Sequence, residues 1–351
     1  MQLSKNKIII ACAGSGKTTY IVEEALKLKD KKVLVITYTN ENLDQIRSFF
    51  IDKSGYIPAN ITVQSWFSCL LQEGVRPYQN YKTERKRIRS IYYFKKEDAE
   101  LIKKLRYIKE ENDSHYLTKN NYLYEDKVSQ FFYKCNELSK GLVLKRLGKI
   151  YDYLFIDEAQ DLEGWDYDLI GNLFDSSLSI VLVGDPRQKI LKTHRHLKNK
   201  GFDTVFDWLD KKKKNNYICE INNASFRCNQ CICDFADKLF PHLPKTVSKN
   251  LSITGHDGIF YILDNEIDIY MKTHHPVILR YNKKADTLDF SGINIGIAKG
   301  RTYDRVLIFP TNPMLEYLKT KDISKAGDKF KLYVAITRAR YSVAFVVSEN
   351  I

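Results

Sequence analysis

Short, nearly unbroken apolar runs, separated by stretches of helical period, set the rhythm of the chain. Ile8–Ala11, Lys32–Thr37 (KVLVIT), Leu154–Asp157 and Ser179–Gly184 (SIVLVG) lack strict alternation of apolar and polar residues. A strand covered on both faces needs no alternation, so these runs predict parallel strands flanked by helices. Between the first two, Lys17–Leu28 puts Ile21, Val22, Ala25 and Leu26 on one helical face. Past the lysine run Lys211–Lys214, which reads as a solvated loop or a phosphate-backbone contact, the alternation resumes. Strands are expected over Tyr217–Ile221, Gly258–Leu263, Val277–Arg280, Arg305–Phe309 and Ser342–Val347, with a helix over Asn229–Phe240. The pattern predicts an α/β fold in two tandem domains, the second beginning at residue 216.

Residues 76–147 break the rhythm. They are poor in glycine, rich in Lys, Arg and Tyr, and repeat Ala99, Ile102, Leu105 and Ile108 at helical spacing. This predicts a small helical insertion, with 1–75 and 148–215 forming the domain that carries it. Charge sharpens the picture: the 351 residues carry a net +13, and Arg76–Glu110 alone holds twelve Lys or Arg against five acids. Such a concentration suits a polyanionic partner, nucleic acid first. No apolar run approaches the roughly 18 residues of a membrane span. The first one ends in a glycine-rich turn rather than a cleavage site, so a cytoplasmic location is expected. Seven cysteines, an odd number without a secretory signal, fit reduced thiols.

The chemistry is concentrated at strand ends. Ala11-Cys12-Ala13-Gly14-Ser15-Gly16-Lys17-Thr18 lies between a predicted strand and a predicted helix, the context of a phosphate-binding loop. Ala13 to Thr19 would cradle phosphates, Lys17 would reach the β and γ groups, and Thr18 would hold Mg²⁺. Ala11 replaces the glycine of the strict pattern, while Gly14-Ser15-Gly16-Lys17-Thr18 is intact. LFIDEAQD, Leu154–Asp161, ends its strand in two adjacent acids. Asp157 would meet Mg²⁺ and Glu158 would act on the attacking water as general base, although such a pair alone is also a common helix cap. In VGDPRQ, Val183–Gln188, the Gln188 amide is placed to sense a γ-phosphate and Asp185 to tie the loop down.

Read in order with ITYTN (Ile36–Asn40), SFRCNQ (Ser225–Gln230), IAKGRTYDRVLI (Ile297–Ile308) and YVAITRAR (Tyr333–Arg340), these strings resemble the motif series of UvrD/Rep-like superfamily 1 helicases. The resemblance spans nearly the whole chain. It implies two tandem RecA-like P-loop domains, ATP and Mg²⁺ as cofactors, and 3′ to 5′ movement on single-stranded DNA. It also implies that Arg227 and Arg338 reach the γ-phosphate from the second domain, a role suited to a planar, permanently charged fork. Tyr38 becomes a stacking platform, with Thr39 and Asn40 on the backbone. Gln64 and Trp66 fall near the next nucleic-acid motif, and Lys299 and Gly300 near the strand or the nucleotide.

The departures are specific. Gln64 stands where the family has histidine, and Trp66 suits a core position as well as a platform. After Gln188 the chain reads KILKTHRH, with Thr193 in place of a stacking aromatic and His194, Arg195 and His196 as substitute phosphate contacts. Thr302 replaces a ribose-binding glutamate, and only Gln2 precedes the first strand where the family reads adenine. The interval after Arg227 is too short for the large regulatory subdomain, and the chain ends soon after Arg340, so a minimal motor without an appended nuclease is expected. Two alternatives stay open: an ATP-driven switch subunit acting with a separate protein such as a repair or antiphage nuclease, and an RNA-directed motor. Cys219 and Cys228-x-x-Cys231-x-Cys233 fit either a zinc or iron–sulfur site or small residues at a helix start.

Overall fold

The computed structural model describes residues 6–85, 87–190, 198–212 and 216–349. Gln2, Thr193, His194, Arg195, His196 and the Lys213–Lys214 end of the lysine run lie outside the described residues. In chain order the strands are Asn6–Ala11 (β1), Val33–Thr37 (β2), Ile61–Ser65 (β3), Ser90–Tyr92 (β4), Tyr122–Tyr124 (β5), Tyr153–Ile156 (β6), Ser179–Gly184 (β7) and Tyr217–Asn222 (β8). Ala224–Ser225 (β9), Val247–Ser248 (β10), Gly258–Leu263 (β11), Val277–Arg280 (β12), Ile293–Asn294 (β13), Tyr303–Phe309 (β14) and Ala339–Val347 (β15) follow.

The first sheet has the order β3-β2-β6-β7-β1-β8. β2 is parallel to β3 and β6, and β6 to β7. Every residue of β2 is buried, which is why VLVIT shows no alternation. Register pairs Thr37 with Ser65 and Ile36 with Ile156. The chain therefore leaves β2, β3 and β6 along one edge, and Tyr38, Trp66 and Asp157 each begin there. β3 has no counterpart among the expected strands, because ITVQS mixes polar residues into a half-exposed edge.

β8 corrects another expectation. Tyr217–Asn222 does not open the second sheet but lies at the edge of the first, beside β1. An apolar run reveals a strand, not the sheet it joins. The second sheet, β11-β15-β14-β12-β13, is parallel throughout. One face buries Leu279, Val306, Ile308, Val343 and Phe345 against helices that carry Ile232, Tyr317 and Tyr333. The other buries Ile278, Leu307, Phe309, Ala344 and Val346 with Ile267 and Tyr270. Helices on both faces remove any reason for polar alternation along these strands.

Residues 76–147 contain the helices Ala99–Leu105 and Val128–Leu138, and also the short parallel pair β4-β5. By internal packing the described residues form two compact units. The first comprises residues 6–8, 18–85, 87–183, 198–212 and 216–219, and the second residues 9–17, 184–190 and 220–349. The glycine-rich loop and the VGDPRQ turn thus group with the second sheet. Among the described residues no helix is long and apolar enough to cross a membrane.

Trp66 is 1% exposed and its Nε1 donates to Asp166 Oδ1 at 2.8 Å. Asp166 also accepts from the Ser129 hydroxyl and from the Glu163 amide at 3.1 Å. Trp66→Ala leaves Asp166 partnered but empties a core site, so it is expected to cost about 3–5 kcal/mol, read as a lower urea midpoint at unchanged slope.

Candidate functional site

β1 delivers the chain into the glycine-rich loop, where Gly14 and Gly16 take φ values of 74° and 78°. This left-handed backbone costs an L side chain about 1–2 kcal/mol per residue. At Gly14 space adds a second constraint: a Cβ would lie 2.5 Å from Arg227 Cβ and 2.9 Å from Ser225 Oγ. Backbone bonds fix the loop to the segment it touches. Cys12 N–H donates to Asn222 O at 3.0 Å, and Phe226 N–H donates to Gly14 O at 2.9 Å. Asn222 Nδ2 reaches Ser15 O at 3.4 Å. Lys17 folds back to donate from Nζ to Cys12 O at 3.1 Å. Ser15 Oγ is buried with no hydrogen-bond partner among the described residues. Burial, helped by Asp185, pushes the Cys12 thiol up to about 12. Left-handed glycines, an orphaned hydroxyl and a lysine resting on a neutral carbonyl together fit a bound phosphate chain.

In the first unit, Thr18 Oγ1 donates to Asp157 Oδ2 at 2.9 Å although the two are 139 residues apart. A hydroxyl beside a carboxylate is an oxygen pair that suits Mg²⁺, which binds few protein ligands and keeps its waters. Asp157 Oδ1 accepts from the Glu158 amide at 2.9 Å. Glu158 itself takes φ 54°, a left-handed conformation rare for a side-chain-bearing residue. Its Oε2 accepts from Gln160 Nε2 at 2.5 Å, and Gln160 is fully buried. Gln160 thus positions Glu158, a role for which the only sequence signal is its place two residues on in LFIDEAQD.

The second unit gathers Gln188, Arg227 and Arg338. Asp185 is fully buried and accepts from Gln188 Nε2 at 2.8 Å, the Arg187 amide at 3.1 Å and the Tyr333 hydroxyl at 3.3 Å. Burial pushes the Tyr333 phenol up, and Asp185 adds to the shift. Gln188, so oriented, offers Oε1 to Arg338 Nη2 at 3.3 Å. Arg338 also donates to the carbonyls of Val334 at 3.1 Å and Arg301 at 3.3 Å. Arg227 Nη1 donates to Thr337 O at 3.1 Å. Beside it Phe226 is 68% exposed, a ring next to the phosphate loop whose letter in SFRCNQ carries no role of its own.

Of the residues proposed for nucleic acid, Tyr38 is half-buried, with its ring 5.3 Å from Phe67. Thr39 Oγ1 caps the helix Asn40–Ser54 by accepting from Asn42 N–H at 3.2 Å, and Asn40 is exposed. Gln64 Nε2 donates to Gln72 at 3.3 Å. Trp66, expected as a possible platform, is core: its indole is enclosed and anchored on Asp166, so it offers no face to a base. Its neighbour Phe67 is half-exposed instead. In the second unit Lys299 is half-buried and Gly300 takes φ 84°. Cys228 and Cys233 are buried while Cys219 and Cys231 are exposed. Among the described residues no group of three or more His, Cys, Asp or Glu is placed to hold a metal ion.

The family described as an AAA domain matches residues 2–194. The chain belongs to that family. The AAA-domain chain is also similar in fold to solved viral helicases. These are the PRRSV helicase (16% identity, 99% of this chain and 53% of that one, TM-score 0.45) and arterivirus nonstructural protein 10, a helicase (13%, 98% and 60%, TM-score 0.48). The same arterivirus protein in complex with DNA gives 12% identity, 98% and 60% coverage and a TM-score of 0.50. The chain thus spans little more than half the length of these structures. Among curated proteins none matches the sequence.

Gly14→Ala meets both a left-handed φ and Arg227. It is expected to weaken binding of a fluorescent ATP analogue by about tenfold, measured by titration with the unfolding midpoint as control.

Proposed function

We propose that the chain is a nucleic-acid-stimulated ATPase of the UvrD/Rep-like superfamily 1 type, moving 3′ to 5′ on single-stranded DNA. The observation that carries this reading is the 2.9 Å bond between Thr18 and Asp157, which joins the threonine of the phosphate loop to the acid at a distant strand end. On this reading residues 1–75 with 148–215, joined by β8, and the rest of 216–351 are the two RecA-like motor domains, and 76–147 is a basic insertion.

Thr18 and Asp157 would hold Mg²⁺, which would supply charge neutralisation for the phosphates. Ala13 to Thr19 wrap the phosphates with backbone N–H groups, and Lys17 exchanges the Cys12 carbonyl for phosphate oxygen. Glu158, aimed by Gln160, accepts the proton of the attacking water. Gln188 and the forks of Arg227 and Arg338 bind the γ-phosphate. Its departure returns Arg338 to Gln188, so the second unit differs between the ATP and ADP states. The exposed Phe226 ring gives the base a stacking face. Tyr38, Thr39, Asn40, Gln64 and Lys299 contact the nucleic acid, and the net +13 charge supports a polyanionic track.

Lys17→Ala is expected to lower the hydrolysis rate by about 10²–10³-fold while affinity for single-stranded DNA persists. Phe226→Ala should raise KM for ATP by roughly 2- to 10-fold, the loss of one stacking contact, with little change in kcat. ATPase rates with single-stranded DNA, duplex and RNA, compared at one fixed salt concentration, decide the track. Rates equal with and without every nucleic acid would overturn the motor, and stimulation by RNA alone would reassign it.

A further inference from the structure

The basic insertion carries aromatic side chains for which ATP hydrolysis has no use. β4 and β5 pair Ser90–Tyr92 with Tyr122–Tyr124, and the rings of the run Tyr92-Tyr93-Phe94, which carries the chain out of β4, fall on two sides. Tyr92 and Phe94 both pack on Tyr124, with ring centroids 5.9 and 5.4 Å away. The Tyr92 hydroxyl is further anchored on Asp98 at 3.0 Å. Tyr93, between them, is thereby turned the other way. Its ring lies 6.4 Å from Phe67 at 65°, and Phe67 lies 5.3 Å from Tyr38 at 70°.

Three edge-to-face rings thus form one row, from the end of β2, through the residue that follows Trp66, to the insertion. The row does not close into a core, since Tyr93 is 55% exposed. Along the chain on either side, Arg87, Arg89, Lys95 and Lys96 are exposed as well. Aromatic faces beside cations match the chemistry of an unpaired nucleotide, base on ring and phosphate on cation. The surplus of seven positive charges over Arg76–Glu110 disfavours a basic or apolar protein surface as the occupant.

We propose that Tyr93 is a stacking platform that extends the single-strand track from Tyr38 across Phe67 onto the insertion. The insertion then grips the strand instead of serving as a spacer. This rests on the nucleic-acid reading above. Because a ring reads the base and not the sugar, DNA and RNA are affected alike.

The test is fluorescence anisotropy with labelled single-stranded DNA and RNA of mixed sequence at fixed salt. Tyr93→Ala is expected to weaken binding about fivefold or more, the lower end of one stacked base. Tyr93→Phe should bind as wild type, and Tyr93→Leu should stay as weak as the alanine variant with an unchanged unfolding midpoint. Wild-type affinity in the alanine variant, or rescue by leucine, would overturn the platform while leaving the motor reading intact. A wild-type protein that binds neither strand would overturn both.

Discussion

The amide of Phe226 donating to the carbonyl of Gly14 at 2.9 Å is the contact on which the site is built. A loop with two left-handed glycines belongs to no helix or sheet, so its shape must come from whatever lies against it. Here the answer is the segment Asn222–Arg227, which bonds to Cys12, Gly14 and Ser15 in turn. Each bond is worth only about 1 kcal/mol net. Together they bring the chain so close that no Cβ fits at Gly14 beside Arg227. The segment that shapes the loop therefore also carries Phe226 and Arg227. Loop geometry and arginine position cannot change independently.

The first unit uses strain where the second uses contact. Glu158 sits at φ 54°, two residues past the end of β6, a conformation costing on the order of 1–3 kcal/mol. Its amide bond to Asp157 and the grip of Gln160 on its carboxylate offset that cost. Reversing the backbone after Asp157 separates the two acids: one stays on Thr18, the other is held by Gln160.

Much of this was legible in the sequence because the strands are buried on both faces and the chemistry sits in fixed strings at their ends. β7, β11 and β12 fall where unbroken apolar runs place them. What was not legible depends on distant residues. β3 is a polar-flecked edge, and β8 reads the same whichever sheet accepts it. The choice between Trp66 and Phe67 is made by Asp166, a hundred residues on, which captures the indole and leaves the next ring outward. Gln160 lies within LFIDEAQD and Phe226 within SFRCNQ, but only contact geometry gives them roles. In the insertion, β4 and β5 have three residues each, too few for any period to register beside the helical spacing around them.

The cations around the loop follow one rule. Lys17 rests on the carbonyl of Cys12, Arg227 on that of Thr337, and Arg338 on two carbonyls and the amide oxygen of Gln188. These acceptors are neutral, and a bond from a cation to an ionised oxygen is roughly twice as strong as a neutral one. A phosphate offered to these groups therefore displaces partners it outcompetes, whereas carboxylate partners would have to be beaten at equal charge. Of these three acceptors of Arg338, the two carbonyls are fixed by the backbone, whereas the Gln188 amide can rotate. Asp185 holds that amide by its nitrogen, with Tyr333 on the same carboxylate oxygen. On the proposed function, Arg338 can leave Gln188 for a phosphate without stripping either side chain of all its partners, which keeps the exchange reversible at every turnover.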